Sequence, residues 1–332
     1  MNALLPCLLA LVGPTYAPKI GGAKDVVLTR TFEVARKGGG EELAIRVVFP
    51  EEMSSKLPVI VWSHGMYGSR DGYDPLVKSW AKAGYVIVQP THLDSLEYMT
   101  REEKRQLLLK PNVDRTQSWN SRPVDIHQCF DLVPNLEKRI PELRGRVDVT
   151  KVGMGGHSFG AWTTQVAAGM SLPTVKDSAE KRAKCFVVIS PHGAGDLPGD
   201  AIRKQSLKPM RGPMLMVTGT KDEVTKGQDA TWRRGAYENT SARPLYFQLV
   251  DGATHGFGGI SGVNRDANRI LPEKLRNAFG TGREDKPEHL LLVQQSTTAF
   301  WDAYLKGVPG AVEFLSSKSW TGTKGMTWEQ KK

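Results

Sequence analysis

Three residue types, met in the right order along this chain, could together transfer an acyl group to water: a serine, an aspartate and a histidine. The serine is Ser158, at the centre of Gly156-His157-Ser158-Phe159-Gly160. Lys151 to Gly155 reads as a short apolar strand before it, and Ala161 to Ala168 as a helix after it. G-x-S-x-G between a strand and a helix is the pattern of a nucleophile elbow, a turn too sharp for side chains at its two flanking positions. Taken alone, the pentapeptide reads equally as an ordinary glycine-rich turn. A serine hydroxyl needs a base to take its proton, and the base needs a third group to orient it. Downstream, the apolar run Pro213 to Thr218 ends in Gly219-Thr220-Lys221-Asp222-Glu223. The run Pro244 to Val250 ends in Asp251-Gly252-Ala253-Thr254-His255-Gly256-Phe257. Asp222 is thus expected as the acid and His255 as the base, in the order serine, acid, histidine. Each has a bland alternative: Glu223 competes with its neighbour, Asp251 could merely shape its turn, and a loop histidine is commonly just solvated. Order and position beyond strand ends favour the joint reading.

Charge that develops on the attacked carbonyl oxygen needs N–H donors. The run Leu57 to Ser63 leads into His64-Gly65-Met66-Tyr67-Gly68. The residue after the nucleophile, Phe159, supplies one expected donor, and Met66 on this loop the other. His64 is expected to shape the loop. Tyr67 and Phe257 adjoin catalytic elements and are the candidate substrate-binding residues. Trp162 is expected in the core.

Elements must place these groups together. Val26 to Val34 and Leu43 to Phe49 read as two early strands around the Gly38-Gly39-Gly40 turn, an antiparallel edge. Tyr73 to Ala83 reads as a helix, Tyr85 to Gln89 as a strand, and Pro123 to Leu136 as a helix with proline in its first turn. Phe186 to Ser190 is strand-like, Thr225 to Glu238 a polar-faced helix, and Pro287 to Leu305 a long terminal helix. Strands alternating with helices predict an α/β fold, a mostly parallel twisted sheet covered on both faces. Ligands of such sheets bind beyond the carboxyl ends of the strands, where every candidate falls. Residues 91–120, with a charged helical piece at Thr100 to Lys110, form an excursion that could cover the site.

These residues resemble an α/β-hydrolase, and among them the dienelactone-hydrolase-like and bacterial platelet-activating-factor-acetylhydrolase-like serine esterases. The likeness is carried by Pro58-Val59-Ile60-Val61-Trp62-Ser63-His64-Gly65, Gly84-Tyr85-Val86-Ile87-Val88, Arg122-Pro123-Val124-Asp125-Ile126, the elbow, Gly219 to Glu223 and His255-Gly256-Phe257. Dienelactone hydrolases proper carry a cysteine nucleophile; Ser158 departs from that and points to ordinary carboxylic esters. The resemblance implies an acyl-enzyme, no metal and no organic cofactor, and a small-molecule or lipid-like ester as substrate. Lipase, polyester hydrolase or amidase activity on the same residues, or an inactive binding module, are the alternatives.

A net charge of +10 would suit nucleic acid or a membrane surface, but no run of five basic residues occurs and aromatics do not interleave with them. No nucleic-acid partner is expected. Neither a H-E-x-x-H zinc motif nor Cys-pair metal spacing is present, and the Gly153 to Ser158 stretch lacks the third glycine of a dinucleotide fingerprint. Residues 1–17 have the apolar centre and small terminal residue of a secretory signal without its basic leader, and are too short for an integral membrane segment. A secreted or periplasmic protein is expected, or a cytoplasmic one if 1–17 is no signal. Residues 18–332 are then one catalytic domain, in which Cys129 and Cys185 either form a bridge or sit as buried thiols.

Overall fold

The computed structural model describes residues 16–21, 25–109, 116–173, 175, 178–195, 202–261, 286–316, 320 and 323–332. Two early strands, β1 (Val27–Val34) and β2 (Leu43–Pro50), pair antiparallel around the expected glycine turn. Strand β2 runs antiparallel to β4 (Val86–Pro90), and from there the sheet is parallel. It continues through β3 (Leu57–Ser63), β5 (Val147–His157), β6 (Phe186–Ile189), β7 (Met214–Lys221) and β8 (Leu245–Thr254). A last strand, β9 (Met326–Lys331), closes the far edge antiparallel to β8. The order across the sheet is β1-β2-β4-β3-β5-β6-β7-β8-β9.

The central strands are buried on both faces, which is why they read as continuous apolar runs rather than as alternation. Successive side chains still divide between two cores. Val59, Val61 and Met154 face one core, packed under α3 (Thr116–Leu132) and α5 (Phe159–Ala167) with Ile126, Phe130 and Trp162. Ile60 and Trp62 face the other, under α1 (Asp74–Lys82) and the helix Pro287–Trp301, with Trp80, Phe300 and Trp301. Strand order, parallel centre and helices on both faces make this the α/β-hydrolase fold.

Several expectations are corrected. Pro123 lies inside α3, not in its first turn, because the helix begins at Thr116. The polar-faced helix starts only at Ala230, since the Asp229 side chain accepts the Trp232 N–H at 2.9 Å and caps it there. The antiparallel β9 has no counterpart among the expected strands. Cys129 and Cys185 are buried free thiols in opposite cores, so they do not bridge each other. Most of 1–17 lies outside the described residues; Tyr16 packs edge-on against Phe314 and its hydroxyl donates to Asp302 at 2.8 Å. Within 91–120, a helix spans Arg101–Leu109 as expected, and residues 110–115 lie outside the described set. Among the described residues no helix is long and apolar enough to cross a membrane.

Candidate active site

Strand β5 ends at His157 and α5 begins at Phe159, leaving Ser158 alone in the turn at φ 57° and ψ −119°. A non-glycine residue held there is strained, so its surroundings must impose it. They do: the Ser158 N–H donates to the Ile189 carbonyl at 3.0 Å. A Cβ on Gly156 would lie 2.2 Å from the Gly160 carbonyl oxygen, and one on Gly160 would lie 2.0 Å from that of Ser63. Only glycine at both positions lets β3, β5 and α5 close on the serine.

Asp222 and His255 meet beyond the ends of β7 and β8. Their approach depends on Gly219, where a Cβ would stand 2.1 Å from the Ala253 carbonyl oxygen. His255 Nδ1–H donates to Asp222 Oδ1 at 2.6 Å, which leaves Nε2 as the proton-accepting nitrogen. Asp222 is fully buried, and its other oxygen accepts from Ser190 Oγ at 2.6 Å and Thr218 Oγ1 at 3.0 Å, with Arg233 Nε 3.2 Å away. Burial alone would raise the Asp222 pKa; Arg233 and His255 outweigh it and hold the carboxylate well below its usual range. Glu223, by contrast, is exposed and accepts the Gly227 N–H, and Asp251 is an exposed residue of β8 that accepts from the Thr220 hydroxyl at 3.3 Å, not a turn former. The His255 loop is also tied to the elbow: His157 Nε2–H donates to the His255 carbonyl at 2.9 Å, and the two rings lie 4.5 Å apart, tilted by 44°. Ser158, Asp222 and His255 thus gather at one rim, beyond the carboxyl ends of β5, β7 and β8.

The loop after β3 lies against the same elbow; a Cβ on Gly65 would be 3.5 Å from that of Ser158. Among the described residues, neither the Met66 N–H nor the Phe159 N–H has a hydrogen-bond acceptor. His64 shapes the loop as expected: its Nδ1–H donates to the Gly65 carbonyl at 2.6 Å and its Nε2 accepts the His92 N–H at 3.0 Å. Tyr67 takes a left-handed φ of 63°, its N–H donating to Asp94 at 3.3 Å, and it stays partly exposed. Phe257, named as a substrate contact, is instead fully buried with its ring edge-on to His157, so it supports the site from behind and offers a ligand no surface.

Residues missed in the sequence carry much of this arrangement. The Tyr73 hydroxyl accepts the Gly65 N–H and donates to His157 Nδ1, both at 2.9 Å, so Tyr73 and His157 link the Gly65 loop to the His255 loop. Arg233 and Ser190 hold Asp222, and Arg122 with Asp94 underlies the Met66 loop. Deeper still, Ser63 Oγ lies 2.9 Å from His92 Nε2, and His92 Nδ1 is 2.8 Å from Asp125, which also pairs with Arg36. This second serine–histidine–aspartate chain is wholly buried, which denies it any substrate and makes it a scaffold. The one available signal was the Arg122-to-Ile126 segment, where an arginine and an aspartate flank and interrupt the apolar Pro123, Val124 and Ile126.

Residues 39–121 match the family model of platelet-activating factor acetylhydrolase, isoform II. That stretch includes the Met66 loop and Asp94 and stops before Arg122, Ser158, Asp222 and His255. The likeness to the platelet-activating-factor-acetylhydrolase-like serine esterases therefore rests on the stretch that holds β2, β3 and β4. No match was found among curated proteins.

Proposed function

We propose that this protein is a serine hydrolase that cleaves carboxylic esters through an acyl-enzyme on Ser158. The observation that carries the reading is the buried Asp222–His255 hydrogen bond, set beside a serine that sits alone on a strand-to-helix elbow. In the reaction, His255 Nε2 takes the Ser158 proton as Oγ adds to the ester carbonyl. Asp222 keeps Nδ1 protonated and stabilises the imidazolium. The Met66 and Phe159 N–H groups receive the oxyanion, each such donor being worth about 3–4 kcal/mol. The imidazolium then gives its proton to the departing alcohol, and water attacking the acyl-enzyme repeats the cycle to release the acid. The family matched over residues 39–121 is named for hydrolysis of an acetyl ester, which supports a small or lipid-like ester as substrate.

Two measurements test this. Hydrolysis of p-nitrophenyl acetate should fall by roughly 10⁴-fold or more in Ser158→Ala, with circular dichroism unchanged. A fluorophosphonate should label the wild-type chain at Ser158, located by peptide mass spectrometry. A Ser158→Ala protein that keeps its turnover, or a wild-type chain that labels elsewhere, refutes the assignment.

A further inference from the structure

Arg122 is fully buried, an expensive place for a cation unless most of its donors are matched. Asp94 takes two of them, Nε at 2.9 Å and Nη2 at 2.8 Å, in a fork-to-fork pair. The remaining contacts converge on one short segment: Nη1 donates to the His64 carbonyl at 2.7 Å, and Nη2 reaches the Gly65 carbonyl at 3.3 Å. Asp94, the partner, accepts the Tyr67 N–H at 3.3 Å. The ion pair therefore grips the backbone on both sides of Met66.

Peptide geometry gives that grip a direction. The Gly65 carbonyl and the Met66 N–H belong to one planar trans peptide and point opposite ways. Holding the carbonyl oxygen on Arg122 and on His64 Nδ1 turns the Met66 N–H away from the guanidinium, on the side left open among the described residues. The other face of the guanidinium lies 4.2 Å over the centroid of the Phe159 ring. That ring also packs against Trp119 and Trp162, at 6.1 and 5.3 Å, which themselves touch at 5.0 Å, and the residue that carries the second donor is thus seated on the same cation. One group touches both halves of the proposed oxyanion hole and neither proton-transfer residue.

We propose that Arg122, clamped by Asp94, is a positioning residue that aims the Met66 and Phe159 N–H groups at a common point and so tunes transition-state binding. This rests on the reading of Ser158 as nucleophile. A lysine would keep the charge but lose the planar fork, so it cannot grip Asp94 and two carbonyls together.

The test uses the full chain and the variants Arg122→Lys, Arg122→Met and Asp94→Asn. Steady-state kinetics are taken on p-nitrophenyl acetate, and inhibition is measured with an aryl trifluoromethyl ketone. Ser158 Oγ adds to that ketone, its proton passes to His255, and the hemiketal oxyanion occupies the hole. The expected result is a kcat lower by about 10²–10³-fold with KM within about threefold, lysine giving no rescue. The inhibition constant should rise in step with the loss of kcat/KM across the series. A merely structural role would lower the melting temperature while the folded fraction, counted by active-site titration, kept its kcat and its ketone affinity; that result overturns the proposal. Should Arg122→Met not fold, Arg122→Lys and Asp94→Asn decide by the same criterion. A wild-type chain that neither hydrolyses the ester nor binds the ketone sinks the serine-esterase reading itself; active wild type with unaffected variants sinks only the role of Arg122.

Discussion

Asp222 holds more partners than orienting one histidine requires. Ser190, Thr218 and Arg233 all converge on a carboxylate sealed from water, so its charge is fixed before any substrate arrives. Asp222→Asn keeps the shape but presents His255 with an amide in place of an anion, which favours the wrong tautomer. The expected loss in kcat is about 10³–10⁴-fold, read on p-nitrophenyl acetate per titrated site. Tyr73→Phe removes the hydroxyl shared by the Gly65 N–H and His157, leaving both buried groups short of a partner. It should cost about 1–3 kcal/mol in urea unfolding; a variant as stable as wild type would show that the link carries nothing. Asp222 was legible in the sequence because a polar residue beyond an apolar run is visible locally, and its burial then decided against Glu223. Ser190, Arg233 and Tyr73 were not, because each acts through partners between 8 and 84 positions away, and pairing at that range leaves no local pattern.

Strands and helices were legible wherever burial is one-sided or complete. The parallel centre announced itself as apolar runs, and the elbow as two glycines in register with a strand end. Strand β9 did not, because Met326-Thr327-Trp328-Glu329-Gln330-Lys331 has one buried anchor, Trp328, and edge strands tolerate polar residues throughout. The start of α3 is not legible because proline usually opens a helix, whereas here the helix tolerates it inside. Packing between elements supplies its own prediction. Gly160→Ala drives a Cβ to 2.0 Å from the Ser63 carbonyl oxygen, which is backbone and cannot swing aside. Strand β3 and helix α5 must part, costing about 3 kcal/mol or more and abolishing ester turnover. An active, equally stable Gly160→Ala protein, judged by urea unfolding and rate together, would contradict the close approach.

Taken across the whole molecule, the histidines form an acid-sensitive interior. Burial, helped by nearby Arg122 or by another histidine, keeps His64, His92 and His157 neutral with pKa values well below the ordinary range, and burial with Arg233 lowers His192 to about 3. Unfolded histidines titrate near 6.5, so below about that pH the unfolded chain binds more protons and stability falls as pH drops. One group works in the opposite sense: burial pushes the Asp125 carboxyl up to about 6, so the folded state gains a proton first between roughly pH 4 and 6. Four imidazoles outweigh one carboxyl. Asp94 and Asp222, held low by their cations, add to the acid loss only below about pH 4. Calorimetry should find the melting temperature level from about pH 8 to 7 and declining steadily below about 6.5; a level profile down to pH 4.5 would mean that these rings are already charged in the fold.

Of the three cysteines, the two among the described residues have a quieter meaning for the molecule. Cys129 and Cys185 lie on opposite sides of the sheet, and burial pushes both thiols well above their usual pKa, so neither presents a thiolate to an oxidant. Dithiothreitol and oxidised glutathione should give superimposable melting curves and equal ester turnover. The folded sheet and its two cores are thus indifferent to the electron supply of their surroundings, with no covalent lock between these two thiols to make or break.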